Sequence, residues 1–367
     1  MKKNGLLLFL LLIICRSFAQ HLPEWQETDR LILSFNSKHL QSIGQLSQLI
    51  NANCDTDRKK VRAIYVWLAY NIHYDTRNSD GLTREETDQE IIEKTFQNRK
   101  GICEGYAGIM DSICRLAGIT SYVISGYTRQ DGVTDPLPHA WVATKVDGYW
   151  YLSDPTWGAG SVENRRFVQE FDARYFMVPP QTMIKTHMPY DPIWQFLKFP
   201  VSHTAFCQNL SVKEKPVSAC DFQDSIRQFE AMSSEQQLLS EMRRIGDNEH
   251  GPRAIDIRLH YLREALKVLN NNKAINLYNL ATNAYNSGVA RYNDYAEFMN
   301  RHQESKSYAS SLKKILTEAS GYLDQSLKAL SQINNPPAEL RRNMLQLQKS
   351  VDQLQRRINN ERDKLNG

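Results

Sequence analysis

Residues 139–155 read His139-Ala140-Trp141-Val142-Ala143-Thr144-Lys145-Val146-Asp147-Gly148-Tyr149-Trp150-Tyr151-Leu152-Ser153-Asp154-Pro155. Two strand-like runs, Ala140–Val146 and Tyr149–Ser153, flank Asp147-Gly148. Asp-Gly is a strong signal for a two-residue hairpin, because that turn needs positive φ at both central residues. Such a turn pairs Val146 with Tyr149. Counting back along the ladder sets His139 opposite Thr156 and Trp141 opposite Asp154. Facing residues share a side of the sheet, so His139 and Asp154 are diagonal neighbours with Cα atoms roughly 7–8 Å apart. An imidazole and a carboxylate can bridge that distance, provided no bulge forms near Pro155.

Upstream, Ser121–Tyr127 reads as another strand. It follows a helical stretch, Cys103–Ala117, which Gly101 precedes and Gly118 ends. Glu86–Gln97 and the region around Glu27–Ile50 also read as helical, and polar Thr76–Arg84 as a loop. Cys54-Asp55-Thr56-Asp57 supplies cap residues for a helix over Lys59–Tyr70. That helix carries Val61, Ile64, Tyr65 and Leu68 at the spacing of a buried stripe.

Downstream the composition changes near residue 220. All six tryptophans (Trp25, Trp67, Trp141, Trp150, Trp157, Trp194) precede it, and only three prolines and five glycines follow it. Five helices are predicted there: Asp224–Ile245, Ala254–Leu269, Lys273–Arg301, Tyr308–Ile333 and Ala338–Leu365, with Asn334-Asn335-Pro336-Pro337 as a breaker. Met344, Leu347, Val351, Leu354, Ile358 and Leu365 follow a heptad seam, suited to packing on its own bundle or to self-association. The expected class is therefore α+β, with residues 20–206 as a mixed domain, 207–220 as a linker and 221–367 as a helical bundle.

The chain has 367 residues, 45 Lys and Arg against 41 Asp and Glu, and 23% charged residues. These values fit ordinary globular domains and lack the basic excess of a nucleic-acid binder, so no nucleic acid is expected as partner. The first residues, MKKNGLLLFLLLIICRSFAQ, resemble a signal peptide. Lys2 and Lys3 precede an apolar run, and Ser17-Phe18-Ala19 offers a cleavage site after Ala19. The run is shorter than the roughly 20 residues of a membrane-spanning helix. Lipoprotein processing at Cys15 is the lesser alternative. Removing residues 1–19 takes Lys2, Lys3 and Arg16 and leaves 42 basic against 41 acidic residues. The expected location is exported: periplasmic, cell-surface or secreted. Five cysteines then remain, Cys54, Cys103, Cys114, Cys207 and Cys220, with Cys207–Cys220 the simplest disulfide pairing.

Three residues carry candidate chemistry. Cys103 stands at a helix start, where free N–H groups and the helix dipole favour a thiolate. His139 opens a strand, and the register brings Asp154 beside it. A cysteine, a base and an orienting acid form the pattern of cysteine-based acyl transfer. The Cys103 N–H is a candidate oxyanion donor. Read residue by residue, the same positions also suit a buried cysteine, a core strand and an Asp-Pro turn. Zinc is disfavoured, with one cysteine and no paired ligand spacing. Trp67, Trp141, Trp157 and Tyr106 are candidates for a substrate groove or for core, and Arg129–Pro138 for a loop overhanging the site.

Arg99-Lys100-Gly101-Ile102-Cys103-Glu104-Gly105-Tyr106-Ala107, His139-Ala140-Trp141-Val142-Ala143 and Tyr151-Leu152-Ser153-Asp154-Pro155-Thr156-Trp157-Gly158-Ala159-Gly160 together resemble the transglutaminase-like superfamily. Within it, the motifs resemble the kyphoscoliosis-peptidase type of branch. Ile64-Tyr65-Val66-Trp67 and Asn71-Ile72-His73-Tyr74-Asp75 are similar to its leading helix. Tyr175-Phe176-Met177-Val178-Pro179-Pro180, His187-Met188-Pro189 and Trp194-Gln195 are similar to its continuation. The resemblance covers about residues 55–206. It implies a papain-like core, in which a helix bearing the cysteine packs on an antiparallel sheet. It also implies a Cys103-His139-Asp154 triad, a thioester intermediate, and neither metal nor cofactor. The implied activity is cleavage or exchange of amide bonds. Hydrolysis is expected over cross-linking, because water is always available and transfer needs a dedicated amine site; secreted proteins and cell-wall peptides are the candidate substrates. The alternative is a non-catalytic binding or scaffold module with its partner surface on the helical domain.

Overall fold

The computed structural model describes residues 22–77, 86–208, 219–246, 252–301 and 308–366. The chain divides into two compact units, with the division between Tyr261 and Leu262. The first opens with α1 (Leu22–Ser34), α2 (Ile43–Asn53) and α3 (Asp57–Asn71). The Thr56 side chain caps α3 by accepting the Lys59 N–H. Every residue of α3 from Val61 to Ala69 is buried, so the helix is enclosed by core rather than striped. Arg62 is tolerated in that run because Asp29 accepts from it at 2.8 and 2.7 Å and the rings of Phe171 and Phe176 lie against it.

Strand β1 (His73–Tyr74) pairs in parallel with β2 (Lys100–Gly101) on either side of α4 (Asp88–Asn98), and α5 (Cys103–Leu116) follows. Thr87 and Glu90 form a reciprocal capping box on α4. Arg99 ends α4 in the left-handed region and donates to the carbonyls of Phe96, Ser37 and Leu40, which ties the start of the cysteine segment to the α1–α2 connection.

The main sheet runs β4 (Val133–Thr134), β3 (Ser121–Gln130), β5 (His139–Val146), β6 (Tyr149–Ser153), and β9 (His187–Pro189) also pairs with β3. All its pairings are antiparallel. The hairpin register is the one predicted, with Val146 opposite Tyr149 and Val142 opposite Ser153. Asp147 and Gly148 both have positive φ, 53° and 83°. Regular pairing ends at Ser153, and the Asp154 N–H donates to the Tyr175 carbonyl at 3.0 Å. A smaller hairpin joins β7 (Gly160–Glu163) and β8 (Arg166–Gln169). Helix α5 packs on β5 and β3. Gly126 of β3 is required by proximity: an added Cβ would sit 2.2 Å from the Met188 carbonyl oxygen and 2.5 Å from the Trp141 ring.

Short α6 (Pro180–Met183) and α7 (His203–Cys207) precede α8 (Phe222–Ala231) and α9 (Ser234–Gly246). The single helix expected over Asp224–Ile245 is thus two. Ser233 starts a new helix by a reciprocal bond pair with Gln236. Both helices belong to the first unit. Ile226 packs with Ile124, Trp141 and Phe196, and Arg244 clamps buried Asp191 at 2.8 and 2.6 Å. The first unit therefore runs past the expected 207–220 linker, of which 209–218 lie outside the described residues.

The two helices expected over Ala254–Leu269 and Lys273–Arg301 are one, α10 (Arg253–Arg301). Asn270-Asn271-Asn272 costs helix stability only by fractions of a kcal/mol per residue and contains no breaker. The second unit combines α10 from Leu262 onward with α11 (Ala309–Ser331) and α12 (Ala338–Lys364). Leu347, Val351, Leu354 and Ile358 of the predicted seam are buried there with Ala281, Leu316 and Leu323.

Cys54, Cys103, Cys114, Cys207 and Cys220 are all free thiols. This corrects the Cys207–Cys220 pairing. Cys207 lies 3.8 Å from the Tyr127 hydroxyl and Cys220 the same distance from that of Ser225. Among the described residues no helix is long and apolar enough to cross a membrane. The signal-peptide reading, with Cys15, falls on residues outside those described.

Candidate active site

Cys103 is the first residue of α5, and Ile102 before it provides no side-chain cap, so no N-cap side chain claims the amides of the first turn. The glycines around it let α4 come close: a Cβ on Gly105 would lie 2.2 Å from Thr95 Oγ1. The parallel β1–β2 pair sets Tyr74 opposite Gly101. Cys103 is 4% exposed, and its thiol donates to Glu104 Oε2 at 3.0 Å. Burial, and then the Glu104 carboxylate, hold this thiol well above its ordinary value, while a backbone hydrogen bond from Ala140 acts in the opposite sense. The helix start by itself predicts a thiolate. Burial and the Glu104 carboxylate act against it, pushing the thiol up.

The Ala140 contact brings Cys103 to the residue after His139. His139 Nε2 lies 2.7 Å from Asp154 Oδ2. Burial alone would lower the His139 value, but the Asp154 carboxylate overrides it and raises it. Asp154 is fully buried. Its Oδ1 accepts the N–H groups of Thr156 and Trp157 at 2.8 and 3.1 Å. Burial works to raise its value, yet His139 and a second imidazole hold it well below the usual carboxylate range.

The second imidazole is His187, whose Nε2 lies 3.1 Å from the same Oδ2. Reading the residues in order did not single out its contact with Asp154. His187 reaches the site through the pairing of β9 with β3, where it faces Thr128, and short-range spacing carries no signal for that. Its segment entered the sequence reading only as part of the family resemblance. Burial keeps His187 below its ordinary value and hence neutral. His139, Asp154 and His187 place one donor atom each within 4.8 Å of one another, as a metal would need, but these atoms are already joined by the imidazole–carboxylate hydrogen bonds.

Of the candidate groove aromatics, Trp67, Trp141 and Tyr106 are core, at 1%, 0% and 0% exposure. Trp141 nevertheless packs beneath the site, with its ring 6.1 Å from His139 and 5.1 Å from His187. Trp157 lines a cleft of about 1080 Å³ together with Tyr74, His139, Phe167 and Tyr175. The segment expected to overhang the site folds back as β4 and lines the same cleft through Asp131, Asp135 and Leu137.

The sequence pattern of the Transglutaminase-like superfamily matches residues 44–155, which hold Cys103, His139 and Asp154. The chain is 29% identical over 210 residues to the human kyphoscoliosis peptidase, covering 54% of this chain and 31% of that protein. It is 32% identical over 161 residues to the mouse kyphoscoliosis peptidase, covering 41% of this chain and 24% of that protein. A solved TGase overlaps 41% of this chain and 35% of its own at 20% identity, with a TM-score of 0.26. Residues 44–155 thus carry a transglutaminase-like core, and a helical region follows it. The chain spans less than a third of the length of these curated relatives.

Proposed function

We propose that the chain is a cysteine-dependent amide hydrolase acting on protein or peptide substrates. The observation that carries this reading is the His139–Asp154 hydrogen bond, set by strand register beside a cysteine at a helix start. With Nε2–H given to Asp154, the other ring nitrogen of His139 is left as an unprotonated base. Substrate entry shifts the Cys103 proton from Glu104 to His139 Nδ1, and Sγ adds to the amide carbonyl carbon. The Cys103 N–H, at the start of α5, is the donor to the charge that develops on the carbonyl oxygen. His139 returns its proton to the leaving amine as the C–N bond breaks, leaving a thioester. Water, deprotonated by the same histidine, then releases the acid and restores the thiol. Hydrolysis is favoured over transfer to an amine because water reaches an open cleft without a dedicated acceptor site.

The N-terminal pattern supports export, which places secreted proteins and cell-wall peptides among the substrates. Cell fractionation with N-terminal sequencing tests that part. A second reading, a binding module on the same fold, draws on the buried, protonated state of Cys103. Labelling with an electrophilic peptide library, followed by mapping of the modified residue, separates the two. Modification at Cys103, lost in Cys103→Ala together with all turnover while stability stays nearly intact, supports the hydrolase. A Cys103→Ala protein with full turnover, or a native protein silent to the whole library, overturns it.

A further inference from the structure

The proposed reaction needs one imidazole on Asp154, yet the carboxylate holds two. An ionised carboxylate offers about four acceptor directions. Two on Oδ1 are taken by the Thr156 and Trp157 amides, one on Oδ2 by His139 and the last by His187. His187 is 1% exposed and does not line the cleft. Its Nδ1 lies 2.8 Å from Thr186 Oγ1, whereas the other contact of that hydroxyl, the Met183 carbonyl, is at 3.4 Å. Nε2 faces an ionised carboxylate, which only accepts, so Nε2 carries the proton and Nδ1 of the neutral ring accepts from the Thr186 hydroxyl.

We infer that His187 is a positioning residue: its Nε2–H, oriented by Thr186, fills the last acceptor site of Asp154 and so fixes the direction and strength of the Asp154–His139 bond. The inference rests on the reading of Cys103 and His139 as nucleophile and base. Two consequences follow from removing that donor. Oδ2 keeps an unsatisfied lone pair inside a dry pocket and can swing away from His139. The negative charge that His187 shared then falls on His139 alone, which becomes more basic. Glu104 from α5 and Asp135 from the β4–β5 connection also face His139 and raise it further. The phenols of Tyr65, Tyr74, Tyr106 and Tyr175 face Asp154 from α3, β1, α5 and the segment after β8. These groups are unaltered by substitution at 187.

The test is the rate of iodoacetamide alkylation at Cys103 across pH in the full chain, with thermal stability and zinc content measured for each variant. His187→Leu removes the donor, His187→Gln keeps one, and Thr186→Val removes the group that orients the ring. His187→Leu is expected to alkylate about 10-fold more slowly, as loss of a hydrogen bond to a charged group predicts, with the lower pH limb moved to more alkaline pH. His187→Gln restores the limb and stays within about 3-fold of the parent. Thr186→Val shifts the limb in the same direction and keeps its stability. A folded His187→Leu with parental rate and limb overturns the inference. So does His187→Gln as impaired as His187→Leu, which makes the role merely structural. One zinc per chain, lost in the 187 variants, also overturns it, because His187 is then a metal ligand. If His187→Leu does not fold, an unshifted limb in Thr186→Val decides against it. His139→Ala alkylating at the parental rate defeats the hydrolase reading itself, whatever position 187 does.

Discussion

Cys103 and Glu104 are adjacent in sequence and opposed in effect. The helix start favours a thiolate, but the neighbouring carboxylate accepts the thiol proton and disfavours negative charge on sulfur. Glu104→Gln removes that charge and leaves burial in place. Cys103 alkylation is then expected to begin at lower pH than in the parent, measured as the pH at half-maximal rate. His203 gives a second signed expectation. It is 2% exposed, accepts from the Tyr127 hydroxyl at 2.8 Å and donates to the Tyr190 carbonyl at 3.0 Å, and burial lowers its value to about 4 from the ordinary 6.5. Between those values the unfolded chain binds a proton that the folded chain does not, so stability falls as pH falls through this window. The loss is about 3 kcal/mol. Urea midpoints from pH 7 to 4 report it. His203→Gln flattens part of the slope, and the remainder includes His187, which is lowered for the same reason.

At the level of elements, the β5–β6 hairpin was legible because its turn chemistry is local. Asp147-Gly148 fixed the register, and the register brought His139 to Asp154 with no long-range information. The Cys103 helix and the α3 start were legible for the same reason, through Gly101 and Thr56. What was not legible depends on contacts between segments far apart in sequence. His187 reaches Asp154 only through β9 pairing with β3, and α8 and α9 join the first unit through Ile226 and Arg244. The expected break between Leu269 and Lys273 is absent from α10, because none of the three asparagines there forbids a helix. Gly126 shows how tightly β9 is held. Gly126→Ala drives a methyl group against the Met188 backbone and the Trp141 ring, and is expected to cost about 3 kcal/mol. Because Trp141 packs against both histidines, Cys103 alkylation falls with it.

Taken whole, the molecule keeps its chemistry and its aromatic core in one unit and a helical bundle in the other. The first unit ends at Tyr261, about forty residues beyond the point where the composition changes, because the Arg244–Asp191 and Arg258–Glu241 pairs hold helices from the proline-poor region onto it. All six tryptophans lie on that side of the division, and all of them, Trp25, Trp67, Trp141, Trp150, Trp157 and Trp194, take part in its ring contacts or core. Tryptophan emission, excited selectively over tyrosine, therefore has no source in the second unit. Far-ultraviolet circular dichroism is dominated by helix and sees both. A chain built this way has no single unfolding midpoint by default. Denaturant titrations followed by the two signals are expected to separate, the emission curve tracking the unit that holds Cys103 and the dichroism curve carrying an added transition from the bundle, so that each half of the molecule can be read by the colour of light used to observe it.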